Sequence, residues 1–208
     1  MKSYTIHMLR SMPSQGTLEG RYIGQGQSPL AMSSVSQLAG LKRDFAYPEA
    51  RFFCASPSVA CVDTLKILYP QAEPEVILEL AECDFGDWEN KTAAELQGDP
   101  RFAQWLAGQA SPPNGESGQV FFNRICGGFQ LLVQNLISRG LTETVLAVPA
   151  GVLTSLLAAF GLPQAQPQDW LCDPGFGYSV RITPGLWARQ PVMEVFAKTP
   201  FSRETGNL

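Results

Sequence analysis

The stretch that decides the fold is Thr5–Leu30, TIHMLRSMPSQGTLEGRYIGQGQSPL. Thr5 to Leu9 read as a buried strand that runs into Arg10 and then a small-residue loop from Ser11. The segment Gly20-Arg21-Tyr22-Ile23-Gly24-Gln25 follows, and Ser28-Pro29-Leu30 reads as a turn. A strand that hands an arginine to a loop at its carboxyl end puts that charge where α/β sheets bind ligands.

Outward from this stretch, strand and helix signals alternate along the chain. Ser33 or Ser34 caps a predicted helix to about Arg43, with Val35, Leu38 and Leu41 on one side. Arg51–Ala55 reads as a short strand, and Ser56-Pro57 as an N-cap with proline in the first turn of a helix to about Tyr69. Glu75–Leu80 reads as a further strand, Thr92–Leu96 as a short helix, and Asp99-Pro100 as the start of another. Gln109–Gly115 has the composition of a surface loop. The longest helix is expected from Gly115-Glu116-Ser117 to Arg139-Gly140, with close packing or a kink at Gly127-Gly128. Thr144–Val148 is an apolar strand of the kind buried on both faces of a parallel sheet. A helix at Gly151–Phe160 and strands at Tyr178–Ile182 and Val192–Ala197 complete the pattern, and Thr199–Leu208 reads as a frayed tail. The alternation predicts an α/β fold, a three-layer α/β/α sandwich with a mostly parallel sheet, in a single domain over 1–208. The predicted ligand edge is then Arg10-Ser11, Ala55-Ser56 and Pro149-Ala150-Gly151.

Composition narrows the partners. The 208 residues are 45% hydrophobic and 16% charged, enough for one substantial core. A net charge of −4, with basic residues scattered and no run beyond Lys42-Arg43, argues against nucleic acid or an anionic membrane. No apolar stretch approaches the ~20 residues of a membrane span. Met1-Lys2-Ser3-Tyr4 enters a strand at once, so no signal peptide is expected and a cytoplasmic location follows. The five cysteines are odd in number and form no C-x-x-C pair, and the single histidine, His7, has no metal-ligand spacing to them. Buried free thiols, no metal and no cofactor are expected. By strand alternation His7 reads as a satisfied core histidine. Asp84, Asp87 and Glu89 read as caps of the turn around Phe85 and Trp88, Gly175-Phe176-Gly177 as a turn, and the four tryptophans as core or rim.

Beyond these readings the chain resembles the histidine phosphatase superfamily, the phosphoglycerate mutase-like proteins, and in particular its small bacterial cobalamin-pathway-type phosphatases. Active members carry Arg-His-Gly after the first strand, then Gly-Arg-x-x-Gly-Gln and Ser-Pro-Leu. They follow the second strand with Ser-Pro-Leu-x-Arg-Ala-x-x-Thr, where this chain has Ser56-Pro57-Ser58-Val59-Ala60-Cys61-Val62-Asp63-Thr64. Leu80-Ala81-Glu82 and Phe85-Gly86-Asp87-Trp88-Glu89 match Leu-x-Glu and Phe-Gly-x-Trp-Glu, and Glu116 with Arg124 matches the rim loop. At the fourth strand the family's Val-Ser-His-Gly-Gly is Val148-Pro149-Ala150-Gly151-Val152.

The resemblance implies chemistry in which a neutral imidazole attacks phosphorus, a second histidine and two arginines hold the equatorial oxygens, and a glutamic acid protonates the leaving group. Carried over, the nucleophile falls on Ser11, the arginines on Arg10 and Ala60, the second histidine on Ala150 and the acid on Glu82. Thr17 stands at a phosphate-contacting asparagine position, and Arg21, Gly24, Gln25 and Gly151 complete the implied ligand-binding set. Losing one transition-state donor costs ~10²–10³ in rate, so a site without nucleophile, arginine and second histidine should not run the standard reaction. The leading expectation is therefore a non-catalytic homologue that binds a small anionic ligand or a protein partner, as monomer or homodimer. The rival expectation is a phosphomonoester hydrolase of altered activity using Arg10, Ser11 and Glu82. A third has Met12 and its neighbours filling the pocket. With phosphate partners gone, Arg10 and Glu82 are expected to pair with each other.

Overall fold

The computed structural model describes residues 2–203. The apolar run Tyr4–Arg10 forms β1, the middle strand of a seven-stranded sheet. On one side lie β5 (Glu143–Val148), β3 (Phe52–Ala55) and β4 (Glu75–Val76), all parallel to it. On the other side lie β7 (Gly177–Ile182), antiparallel to β1, then β8 (Met193–Thr199) and β6 (Gly161–Leu162). Phe45–Ala46 (β2) and Phe201–Ser202 (β9) make a separate two-stranded pair.

Strand alternation sorts the side chains between two layers. Ile6, Met8, Leu146 and Val148 pack on one face against α6 (Gly118–Arg139) and α7 (Ala150–Phe160), through Phe129, Leu132, Leu153 and Leu157. Leu9, Ala55, Val145 and Ala147 face the other way, onto α2 (Met32–Asp44) and α3 (Val59–Leu68). Four short helices, α1 (Gln15–Leu18), α4 (Ala93–Leu96), α5 (Pro100–Leu106) and α8 (Pro184–Trp187), decorate the loops. The expected α/β/α sandwich with a mostly parallel sheet is the observed architecture.

The adjacent glycines of α6 do not break it; the helix runs unbroken to Gly140, whose φ of 69° supplies the left-handed stop. Gly128 is there for close approach: a Cβ at that position would lie 2.3 Å from Glu79 Cβ. The helix starts read at Asp99 and Ser117 hold, with Asp99 capping α5 and Ser117 capping α6, and Thr92 and Glu95 add a capping box at α4.

Four expectations are corrected. Helix α2 begins at Met32 behind Ala31 without a side-chain cap, because the Ser34 hydroxyl donates to Pro13 O at 2.9 Å. Helix α3 begins at Val59, not at Pro57: the Ser56 amide is held in the sheet by Ala147 O, and Pro57-Ser58 carry the chain clear before it can coil. Only Glu75–Val76 of the predicted Glu75–Leu80 strand pairs, since β3 ends at Ala55; Leu78–Leu80 coils into a 3-10 turn against Gly128. The tail from Thr199 is not frayed through Ser202, because Thr199 is buried in β8 and Phe201–Ser202 pair with Phe45–Ala46. The remainder of that expected tail, 204–208, lies outside the described residues.

Candidate functional site

Register brings the strand ends together. Arg10 lies opposite Val148, and Ala55 opposite Ala147, so Ser11, Ser56 and Pro149 leave the sheet along one edge. The Ser11 amide donates back to Val148 O at 2.9 Å, and the Met12 amide to Thr64 Oγ1 at 3.0 Å, while Thr64 donates to Ala60 O at 2.6 Å. These bonds tie the first loop to α3. Beyond them opens a cavity of about 240 Å³ lined by Arg10, Ser11, Thr17, Ala60, Glu82 and Ala150, with Arg21 and Gly24 at its rim. Met12 is buried against Leu9 and Leu38 and leaves the cavity open.

The expected Arg10–Glu82 pair does not form. Arg10 turns its guanidinium away and donates from Nη1 to Cys172 O at 2.6 Å. Its backbone is pinned to the same loop, with Arg10 N donating to Phe176 O and Gly175 N to Arg10 O. Glu82 instead accepts from the Cys83 amide at 3.0 Å and from the Gly151 amide in the first turn of α7. A side chain at Gly151 would collide with that carboxylate, its Cβ 2.8 Å from Glu82 Oε1. Gly151 therefore supports Glu82 and does not line the cavity. Burial pushes the Glu82 carboxyl above the usual range, opposed by these two amides and the more distant Arg124 charge. The shift is toward the neutral acid, against the pull of the helix N-terminus beside it.

The loop that carries Glu82 is clamped from behind. Arg124 donates to the carbonyls of Glu79, Ala81 and Glu82 at 2.8, 3.0 and 3.2 Å, and grips both oxygens of Glu116 at 2.9 and 2.7 Å. This fork-to-fork pairing is the strong form of the arginine–carboxylate contact. Asp84 accepts from the Gly86 amide, as a turn cap should. Glu89 departs from that expectation: its Oε1 crosses to the amides of Gly24 and Gly26 at 2.8 and 2.7 Å and fixes the rim loop. Gly24 is required there, since a Cβ would sit 2.0 Å from Cys83 O.

Tyr22 and Phe85 reach the rim from a ring cluster with Trp88, Phe102 and Trp105, centroids 5.3–5.9 Å apart. Such pairs add ~0.5–1.5 kcal/mol each beyond burial, which makes this wall firm. Trp170 and Trp187 belong to the main core. Arg21 is occupied by Glu19, Glu95 and Asn90 O and serves the rim as a strut. Thr17 is exposed, shares a hydrogen bond with Ser14 and faces the cavity mouth. Gln25 lies outside, in a neighbouring depression with Ser58, Glu82 and Arg124. Sequence reasoning passed over Ser14, Ile23 and Ser58 as lining residues. Ser58 was within reach, as it follows the Ser56-Pro57 strand end.

Other nucleophiles are held away. His7 is buried in the sheet between Ser179 Oγ at 2.8 Å and Glu143 Oε2 at 3.2 Å. Burial lowers its pKa and Glu143 opposes the shift. The Cys61 thiol beneath the cavity is pushed up to about 12 by burial, and Cys172 to about 11, so neither is a thiolate near neutrality. Among the described residues no three His, Cys, Asp or Glu side chains converge as a metal site would need. No helix among them is long and apolar enough to cross a membrane.

A family model described as the histidine phosphatase superfamily (branch 1) matches residues 6–191. The chain belongs to that superfamily. The alpha-ribazole phosphatase from Shigella flexneri superposes with a TM-score of 0.75 at 22% identity, covering 93% of this chain and 95% of that one. TTHB049 from Thermus thermophilus superposes with a TM-score of 0.65 at 26% identity over 95% and 99% of the two chains. Phosphoglycerate mutase from Bacillus anthracis shares the fold with a TM-score of 0.71 at 15% identity over 94% and 92%. No curated protein matches the chain.

Proposed function

We propose that the chain is a non-catalytic member of the histidine phosphatase superfamily that holds a small ligand in the strand-end cavity. One observation carries the reading: the cavity is open and preformed, yet Ser11, Ala60 and Ala150 line it where the family resemblance calls for His, Arg and His. The only imidazole of the chain is locked to Ser179 and Glu143 in the sheet. Phosphoryl transfer depends on positioned cations around the equatorial oxygens. Of the cavity's two arginines, Arg10 leans on Cys172 O and Arg21 is tied to Glu19 and Asn90. Hydroxyls from Ser11, Ser14, Thr17 and Ser58 and the rings of Tyr22 and Phe85 remain to contact a ligand. The unpaired thiols suit the reducing cytoplasm.

A second reading keeps a weak phosphomonoesterase, and Glu82 favours it: a carboxyl held toward its neutral form is what protonating a leaving oxygen requires. Turnover of p-nitrophenyl phosphate separates the two. The expected result is no turnover above buffer and no phosphoenzyme by mass spectrometry. Turnover abolished by Glu82→Gln would overturn the non-catalytic reading. Ser11→His, Met12→Gly, Ala60→Arg and Ala150→His installed together should create activity if the scaffold is otherwise competent.

A further inference from the structure

The one cation retained beside Ser11 is directed at a different cavity. Because β7 runs antiparallel to β1, its first residue, Gly177, lies between Leu9 and the last residue of β8, Thr199. The loop before β7 closes over this corner and leaves a cavity of about 440 Å³ whose lining includes Arg10, Cys172, Asp173, Tyr178, Lys198 and Thr199. Arg10 lines this cavity as well as the strand-end one.

The corner is well supplied with donors. Arg10 carries five N–H groups, and its hydrogen bond to Cys172 O uses one of them. Neither Arg10 nor Lys198 enters any of the ion pairs among the described residues. Arg10, Lys198 and Asp173 all line this one cavity. Two cations outside any ion pair leave donor capacity that a ligand would satisfy.

We propose that this cavity binds the carboxylate or phosphate group of a small molecule, with Arg10 and Lys198 as its cationic arms. Guanidinium recognises either oxyanion through paired N–H groups. Two cations against Asp173 leave one net positive charge, which suits a monoanion or a ligand with an amine beside its acidic group. The site stands apart from whatever occupies the strand-end cavity.

The experiment is a ¹⁵N–¹H titration of the full chain with sodium acetate and, separately, with inorganic phosphate, at constant low ionic strength. Saturable shifts are expected at Cys172–Tyr178 and at Lys198 and Thr199, with a Kd on the order of 1 mM. The tighter of the two probes assigns the oxyanion. Lys198 is exposed, so Lys198→Ala should fold normally and weaken binding by about tenfold or more, the worth of a charge-assisted hydrogen bond. Asp173→Asn should strengthen binding by roughly threefold through loss of a like charge. Absence of saturable shifts, shifts centred on Ser11, Ser14 and Ala150, or unchanged affinity in Lys198→Ala would each overturn the proposal.

Discussion

The adjacent glycines of α6 should respond to the same substitution with opposite sign. In a helix interior, Gly→Ala gains roughly 0.5–1 kcal/mol from backbone entropy. At Gly127 an added Cβ meets nothing within 4 Å, so Gly127→Ala should show that gain. At Gly128 the added Cβ would lie 2.3 Å from Glu79 Cβ and 3.4 Å from Glu79 Cα. Rotating the Glu79 side chain cannot relieve a clash with its Cβ, so the 3-10 turn Leu78–Leu80 must move. Overpacking of this kind costs about 1–3 kcal/mol. The propensity gain is common to both variants and cancels, leaving the difference between them as the packing cost. For a chain of this size it separates their midpoints by roughly 2–12 °C. Paired thermal and urea melts measure it. Gly128→Ala as stable as Gly127→Ala would refute the claim that this glycine exists for close approach. The displaced turn leads directly into Glu82, so Gly128→Ala should also weaken ligand binding at the strand-end cavity.

Arg124→Met should destabilise by about 2–4 kcal/mol, somewhat less than a fully buried pair loses, because 22% of the Arg124 side chain remains exposed. Glu116, only 8% exposed, is then left without its partner, and adding Glu116→Gln should recover part of the loss in urea titrations. Glu82→Gln tests the acid's environment through pH. A carboxyl whose folded pKa is raised gives stability that is full below the unfolded value, near 4.5, and is lost as pH climbs through the folded value. The variant should therefore match the wild type at pH 4 and melt higher at pH 8; equal melting at both pH values would show that Glu82 is not desolvated.

The local signals that proved legible are those whose physics is local. Asp99-Pro100 and Ser117 to Gly140 bounded helices because caps act within one turn. The Gly127-Gly128 pair signalled close packing or a kink, and only the packing of the 3-10 turn Leu78–Leu80 assigns the close approach to Gly128. Signals that needed a partner strand misled. Ser56-Pro57 has the chemistry of a helix start, yet the Ser56 amide is committed to Ala147 O. Ile77–Leu80 have strand character, yet β3 offers them nothing beyond Ala55. Glu89 resembled a turn cap until the fold carried Gly24 and Gly26 alongside it.

The candidate site divides along the same line. Residue types, their order and the strand ends are properties of the chain, and from them came the α/β/α sandwich, the family, and Ser11, Ala60, Glu82 and Ala150 around one edge. Where each side chain points is a property of the neighbours that tertiary structure supplies. Alternation marks a strand but not its direction, and the antiparallel course of β7 is what brings Cys172 O to the Arg10 guanidinium. The amide of Gly151 likewise takes the Glu82 carboxyl. A charge and a carboxylate expected to face each other thereby hold separate backbone partners, each a fixed dipole that the fold sets beside it.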